Sequence, residues 1–188
     1  PVPGDYDGDG KTDYAVWQPS NGTYSVILSS TGQTVTQQWG LSTDLPVLGD
    51  FDGDGKTDYA IWRPSDATFY VILSSTGKSV SQQWGVSTDI PVPGDYDGDT
   101  KTDYTIFRPS NGTWYTLQSS NGKTVTTVFG LNGDIPVAKD YDGDEKTDIA
   151  IFRPSNGTWY ILQSSNGKTT TTAWGLSTDV PVNRPTGQ

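Results

Sequence analysis

The chain repeats one acidic loop four times, at intervals of 45 residues. The first copy reads Asp-Tyr-Asp-Gly-Asp-Gly-Lys-Thr-Asp from Asp5 to Asp13, and the others begin at Asp50, Asp95 and Asp140. Asp occupies positions 1, 3, 5 and 9 of the nine-residue loop in every copy. This strict register predicts four copies of one structural unit, with the same chemistry at each loop.

The crowding of carboxylates in each loop points to a cation. Four Asp side chains around one point repel each other unless a positive ion lies between them. The chain has no His and no Cys, and hard oxygen ligands favour calcium or magnesium over zinc or copper. An acidic turn without a ligand is the simpler alternative.

The first half of the loop is similar to the start of an EF-hand loop, in which position 7 supplies a backbone carbonyl. The EF-hand's Glu at position 12 is missing, because Val16, Ile61, Ile106 or Ile151 stands there. We therefore expect the Asp at position 9 to replace it and about one Ca²⁺ to bind per repeat. The predicted ligands, with each Lys acting through its backbone carbonyl, are Asp5, Asp7, Asp9, Lys11, Asp13, Asp50, Asp52, Asp54, Lys56, Asp58, Asp95, Asp97, Asp99, Lys101, Asp103, Asp140, Asp142, Asp144, Lys146 and Asp148.

Position 6 of the loop differs between the copies. It is Gly10 and Gly55 in the first two loops, but Thr100 and Glu145 in the last two. If this position needs a positive φ, a residue other than Gly costs about 1–3 kcal/mol there. We therefore expect the third and fourth sites to bind metal more weakly.

The rest of the 45-residue unit is typical of four short strands. In the first unit, residues 1–6 enter the loop, 13–18 leave it, and 23–29 and 33–39 form the third and fourth strands. Asn21-Gly22 between two strands predicts a two-residue hairpin turn. Four strands in about 45 residues is the arithmetic of a β-propeller blade.

The predicted fold is therefore an all-β propeller in a single repeat domain, residues 1–188. Its blade units are approximately 1–45, 46–90, 91–135 and 136–180, and 181–188 hold the rest of a partial fifth first strand and a tail. A closed four-bladed ring is allowed, but the extra strand, written Asp179-Val-Pro-Val182, favours pairing with another chain in a ring or stack. Gln18 stands where the later units have Arg63, Arg108 and Arg153, which is compatible with a first blade that lacks a neighbour.

At the boundaries between units the sequence resembles a known repeat. Trp39-Gly40, followed by Pro46-Val47 and the loop at Asp50, is similar to the FG-GAP or VCBS-type repeat of integrin-like propellers, and the pattern recurs before Asp95 and Asp140. The resemblance implies a calcium-stabilised propeller used for adhesion, ligand binding or as an accessory domain. It brings no catalytic residues.

The distribution of carboxylates argues against an enzyme. Sixteen of the 22 Asp and Glu residues occupy the recurring Asp positions of the four loops, and only Asp66 and Glu145 fall outside any recurring position. The remaining four precede the apolar-Pro-Val segments, where a turn or strand-pairing role is expected: Asp44, Asp89, Asp134 and Asp179. Without His or Cys, and without a paired acid and base, we expect no catalytic site.

Three aromatic positions recur in every unit, which is typical of packing between blades. A sharper hypothesis is that Trp114 and Trp159, which follow hairpin tips, stack on sugar rings and give repeated carbohydrate sites. The alternative functions are thus a lectin-like accessory domain of a secreted polysaccharide-active enzyme, or a self-assembling surface or filament protein.

Composition favours an extracellular setting. Four Ca²⁺ ions would offset most of the formal charge of −10, and millimolar extracellular calcium suits modest sites of this kind. The Lys and Arg residues form no basic run, so we expect no nucleic acid partner, and no apolar stretch is long enough for a membrane span. Because the sequence opens on Pro1, we expect a processed product or a fragment. The expected protein is secreted or on the cell surface, with calcium, a glycan or protein ligand, and a second copy joined through the terminal strand as its partners.

Overall fold

The structure, a computed structural model, describes residues 1–182. Strands and turns make up this part of the chain, which contains no helix. The strands are β1 Tyr14–Gln18, β2 Thr23–Ile27, β3 Thr34–Gln38, β4 Leu45–Val47, β5 Tyr59–Arg63, β6 Thr68–Ile72, β7 Ser79–Gln83, β8 Ile90–Pro91, β9 Tyr104–Arg108, β10 Thr113–Leu117, β11 Thr124–Val128, β12 Ile135–Pro136, β13 Ile149–Arg153, β14 Thr158–Leu162 and β15 Thr169–Ala173. No helix in residues 1–182 could span a membrane.

Each repeat forms one antiparallel sheet. Three sheets have four strands in sequence order, β4 to β7, β8 to β11 and β12 to β15, and the first has the three strands β1 to β3. In the first sheet, Val2 N donates to Ala15 O at 2.8 Å, which is the bond that Val92 and Val137 make in their blades. The N-terminal segment thus runs along β1 as a short fourth strand. The predicted fold class is confirmed: the protein is an all-β propeller with four successive blades.

The contacts divide the chain into two compact units. The first comprises residues 1–87 and 100–102, and the second comprises residues 88–99 and, among the described residues, 103–182. Each unit holds two blades. Whether 1–188 forms a single domain stays a prediction.

One turn prediction is wrong. The register pairs Gln18 with Thr23, so β1 and β2 are joined by a four-residue loop and not by a two-residue hairpin. Gly22 has a φ of 65°, but Asn21 keeps a negative φ, whereas a type I′ turn needs both positive. Gly22 N donates to Gln18 O at 2.9 Å. Pro19, with its φ fixed near −65° and no N–H, favours this wider loop.

The second strand of a blade carries a residue that packs against the preceding blade. Ile61 is fully buried in a cluster with Val2, Ala15, Tyr24 and Val26 of the first blade. The Tyr24 hydroxyl crosses the same boundary and donates to Ala60 O at 2.5 Å. Burial of an aliphatic side chain of this size stabilises by about 1.5–3 kcal/mol. The inter-blade role expected for the recurring aromatic residues is confirmed here.

A buried ion pair joins the turn between two blades to the second strand of the following blade. The Arg63 guanidinium donates to both oxygens of Asp44, at 2.9 and 2.8 Å, and the Asp44 side chain is fully buried. The same oxygen Oδ2 accepts Leu41 N at 2.8 Å, which confirms the turn role expected for this Asp. The guanidinium also lies 4.5 Å above the centre of the Tyr70 ring. The arrangement recurs in Asp89–Arg108–Tyr115 and Asp134–Arg153–Tyr160.

We expect Arg108→Met to lower the free energy of unfolding by about 2 kcal/mol, because it leaves the buried Asp89 carboxylate without its counter-charge. The guanidinium is partly solvated, so the loss falls below that of a fully buried pair. Gln18→Met is the matched control, since Gln18 occupies the same repeat position without an ion pair. Urea unfolding of both variants measures the difference, and equal losses would contradict this role of the pair.

Candidate metal centres

The first Asp of each loop shapes the loop itself. Asp5 accepts Gly8 N at 2.7 Å on Oδ1 and Gly10 N at 2.8 Å on Oδ2. Asp140 makes the equivalent bonds to Gly143 N and Glu145 N. Since the carboxylate accepts from two backbone N–H groups of its own loop, the chain curls around this side chain and presents the other acidic groups inward.

The Asp at position 9 is buried beneath the loop. Asp13 accepts Tyr6 N at 2.8 Å on Oδ2 and Ser29 N at 2.7 Å on Oδ1. Its counterparts Asp58, Asp103 and Asp148 make the same two bonds in their own blades. One carboxylate therefore links the first strand of the blade, the second strand, and the turn between the third and fourth strands.

The structure gathers three carboxylates in each loop, with oxygens that all lie within 4.8 Å of one another. In the first, second and fourth loops these are positions 1, 3 and 9, and in the third loop they are positions 1, 3 and 5. The groups are Asp5, Asp7 and Asp13; Asp50, Asp52 and Asp58; Asp95, Asp97 and Asp99; and Asp140, Asp142 and Asp148. The predicted ligands Asp9, Asp54, Asp144 and Asp103 lie outside these groups, although they belong to the same loops.

A buried oxygen without a partner lies in three of the four groups. Asp52 Oδ1, Asp97 Oδ1 and Asp142 Oδ1 are inaccessible to solvent and have no hydrogen-bond partner among residues 1–182. A buried carboxylate oxygen is costly to leave unsatisfied. All three belong to the Asp at position 3, and a cation held between the carboxylates would give each of these oxygens a partner. The residues therefore fit a divalent metal.

Two serines that the sequence analysis did not consider complete each centre. The Ser30 hydroxyl donates to Asp7 Oδ2 at 2.5 Å and the Ser29 hydroxyl to Asp9 Oδ2 at 2.8 Å. Ser74-Ser75, Ser119-Ser120 and Ser164-Ser165 repeat these contacts. The signal was present in the sequence, because a Ser-Ser pair recurs at the same position of every unit.

The lysines at position 7 make a contact that the ligand prediction did not foresee. The Lys56 side chain crosses the first loop, and a methyl group built on Gly8 would lie 2.8 Å from Lys56 Cε. In the second unit, Lys146 approaches Gly98 in the same way, with Cε 2.6 Å from that position. A cationic side chain thus covers the neighbouring acidic loop. The ligand role of the Lys backbone carbonyls stays a prediction.

Neighbouring loops are also joined through the backbone. Thr57 N donates to Asp5 O at 2.6 Å in the first unit, and Thr147 N donates to Asp95 O at 2.6 Å in the second. The accepting carbonyl belongs to the Asp that shapes the loop. A change in the backbone conformation of one loop therefore acts directly on the neighbouring loop through this hydrogen bond.

Burial sets the direction of the pKa shifts in the centres. It raises the pKa of Asp58 and of Asp103, because desolvation disfavours the charged carboxylate, and their backbone hydrogen bonds only partly counter this. At the exposed rim, the Ser29 hydroxyl lowers the pKa of Asp9. A divalent cation would favour the ionised form of all of these groups.

The backbone at position 6 has a positive φ in every loop. The value is 79° at Gly10 and 86° at Gly55, but also 72° at Thr100 and 70° at Glu145. The conditional expectation that this position requires left-handed backbone is confirmed. The weaker metal binding inferred from it stays a prediction.

The two tryptophans proposed to stack on sugars differ in exposure. Trp114 is 0% exposed, and its Nε1 donates to Phe129 O at 2.8 Å, so the hypothesis is wrong for this residue. Trp159 is half-buried, and its Nε1 donates to Trp174 O at 2.9 Å. Both rings pack on the Phe of the preceding strand, with centroids 5.3 and 5.4 Å apart.

Comparison with solved structures places the fold. The chain is similar to streptogramin B lyase, with a TM-score of 0.60 and 11% identity over 91% of this chain and 53% of that one. It is similar to BBS1N, solved in complex with ARL6DN (TM-score 0.57, 11% identity, 93% and 55% covered). A third is the catalytically inactive virginiamycin B lyase from Staphylococcus aureus with quinupristin (TM-score 0.56, 12% identity, 96% and 56% covered). The chain spans slightly more than half the length of these structures.

Fold and site together define a repeat protein of β-propeller blades with one acidic centre per blade. Residues 5–61, which contain the first two loops, match the family model described as FG-GAP-like repeat. The resemblance seen in the sequence is confirmed. Comparison with curated protein sequences gives no match.

We expect Thr100→Gly and Glu145→Gly each to raise the free energy of unfolding by about 1 kcal/mol. Gly relieves the strain of the left-handed backbone, and this gain exceeds the cost of its greater conformational entropy in the unfolded chain. The matched reverse variants are Gly10→Thr and Gly55→Glu, which should lose a similar amount. Neither Gly has an atom within 4 Å of its Cβ position, so conformation and not crowding is tested. Thermal unfolding in chelator measures all four, and a loss in the Gly variants would contradict the strain.

Proposed function

We propose that the protein is a calcium-stabilised extracellular β-propeller that serves as a binding, adhesion or scaffolding module. The observation that carries this is the buried, unpartnered Oδ1 at position 3 in three loops, inside a group of three carboxylates. A divalent cation would satisfy this oxygen and remove the repulsion between the carboxylates at the same time.

The donor set supports calcium in preference to magnesium. Each centre offers carboxylate oxygens, serine hydroxyls and the backbone carbonyls of a short loop, all of which are hard ligands. Calcium accepts six to eight such ligands in irregular geometry, whereas magnesium demands a near-ideal octahedron and keeps its waters. The groups of three carboxylates differ between loops, since they include position 9 in the first, second and fourth loops but position 5 in the third loop. This irregularity favours the more tolerant ion.

The role proposed for the ion is structural. Asp13 already connects Tyr6 N to Ser29 N, so an ion on Asp5, Asp7 and Asp13 would be fixed to three segments of one blade. Because the unfolded chain has no such site, the free energy of metal binding would add to the free energy of folding. Secretion or cell-surface display is part of the proposal, since extracellular calcium is high enough to fill modest sites.

The carboxylates outside the loops support a non-catalytic role. Asp44, Asp89 and Asp134 are each paired with an Arg, and Asp66 accepts the Tyr70 hydroxyl at 2.8 Å. These groups are engaged in structural contacts. The similarity to two lyases is at 11–12% identity and concerns the fold, which hosts enzymes and non-enzymes alike.

Calcium titration of chelated protein should show about four ions per chain and raise the melting temperature. At a free calcium concentration of a hundred times Kd, each site adds about 2.7 kcal/mol to the free energy of unfolding. Isothermal calorimetry and thermal unfolding measure the two effects. A melting temperature that is the same in calcium and in chelator would overturn the proposal.

Asp97→Asn and Asp142→Asn should each remove about one ion, because the amide replaces the carboxylate that holds the buried oxygen. Asp66→Asn is the matched control, since it removes a carboxylate outside the loops and should leave the stoichiometry unchanged. A magnesium titration at the same concentrations tests the choice of ion. Loss of binding in the control would show that net charge, and not the loop, attracts calcium.

A further inference from the structure

The first blade presents an uncovered apolar surface. We name Tyr14, Val16 and Ile27 the front face. Tyr14 is 81% exposed and Val16 is 47% exposed. The residues at the position of Val16 in the other blades, Ile61 among them, are at most 1% exposed. A shallow cavity on this face is lined by Val16, Ile27 and the two N-terminal prolines.

The fourth blade presents a different uncovered surface. We name Tyr141, Trp159 and Trp174 the back face. Trp174 is 75% exposed and Tyr141 is 39% exposed, whereas Trp39, the counterpart of Trp174, is half-buried. Trp159 is half-buried, although its counterpart Trp114 is fully buried.

Inside each unit, the counterpart of the front face on one blade covers the counterpart of the back face on the blade before it. In the first unit, Ile61 and Tyr70 of the second blade pack on Tyr6 and Tyr24 of the first, and Trp39 Nε1 donates to Tyr70 O at 3.0 Å. In the second unit, Ile151 and Tyr160 of the fourth blade pack with Trp114 and Phe129 of the third. The same contact thus occurs twice, and its two halves are the surfaces left uncovered on the first and fourth blades.

We propose that the back face of one molecule binds the front face of a second copy of this chain. The contact continues the interface already formed between blades. Val16 of the second copy would occupy the place of Ile61, and Trp174 Nε1 would donate to Ser25 O, the counterpart of Tyr70 O. Such a head-to-tail contact is heterologous, so each molecule keeps one face for a further copy until the assembly closes.

One feature makes this contact weaker than those inside the chain. Asp179, the counterpart of Asp44, accepts Leu176 N at 2.8 Å and would face Gln18 of the second copy, where the interior contacts have an Arg. Ser25 likewise replaces the tyrosine that stacks on that Arg. The second copy therefore binds through its apolar residues, without the buried ion pair of the interior contacts.

The faces, and not the terminal strand, provide this contact. Residues 179–182 would pair with β1 of another copy in the register of β4 with β5, which places Val182 opposite Ala15. That position is taken, because Val2 N donates to Ala15 O. Pairing through the terminal strand would have to displace the N-terminal segment, whereas contact between the faces leaves this segment paired with β1.

Sedimentation velocity of the full chain in calcium, over a wide range of concentration, tests the proposal. The wild type should assemble reversibly. Val16→Glu alters only the front face and Trp174→Glu only the back face, and each should raise the concentration for half-assembly at least about tenfold. An equimolar mixture of the two variants should form a pair, because it retains one intact front face and one intact back face. Both residues are exposed, so circular dichroism should show folded variants.

Leu131→Glu is the matched control. Leu131 is 58% exposed, and its counterpart Leu41 is similarly exposed in the first blade although the second blade packs there, so this position lies outside the contact between blades. The variant should assemble like the wild type. Gln18→Arg supplies the missing ion-pair partner and should lower the half-assembly concentration about tenfold, and Asp179→Asn should cancel this gain. A wild type that is monomeric throughout overturns the proposal. So does assembly lost in Val16→Glu but kept in Trp174→Glu, or a variant mixture that forms no pair.

Discussion

The structure depends on one buried carboxylate per blade, the last Asp of the acidic loop. This group accepts two backbone N–H groups from segments 7 residues before and 16 residues after it, so three parts of the blade converge on a single side chain. Such charge-assisted hydrogen bonds are about twice as strong as neutral ones, but they require a desolvated negative charge. Burial raises the pKa of Asp58 and Asp103, which is the electrostatic cost of this arrangement. The same carboxylate therefore holds the blade together, and the cation proposed for the loop above would reduce this electrostatic cost.

The packing between blades follows from a second constraint. A blade is apolar on both faces of its second strand, and β5, β9 and β13 share the same burial pattern, in which three central residues are buried and the two ends are half-buried. β1 departs from it, with Val16 exposed. Because the residue at the position of Val16 is aliphatic in all four blades, its exposure reflects the lack of a covering surface and not a different sequence. Hydrophobic surface of this kind is rarely left uncovered in soluble proteins.

Much of this could be predicted from the sequence, because repetition supplies four observations of each position. The period, the four strands, the all-β fold and the position of the acidic loop followed from it. The grouping of carboxylates did not, since spacing alone cannot show that position 5 lies outside three of the groups while position 9 is held by backbone N–H groups. The Ser-Ser pairs were missed because hydroxyl residues are common throughout the chain. The exposure of Trp114 was misjudged, because a residue that follows a hairpin tip can still point into the neighbouring blade.

The spacing of the ion pairs has a consequence for how such a chain can grow. Asp44 and Arg63 are 19 residues apart, and so are the two later pairs. Each pair straddles the junction between consecutive repeats, so a single repeat cut from the chain loses at least one partner, and the second and third repeats lose a partner at both ends. Duplication of any 45-residue segment that begins after Gln18, by contrast, leaves each of these Asp residues 19 residues before an Arg. The protein can therefore lengthen by whole repeats without leaving a buried charge unmatched, but it cannot shrink to one.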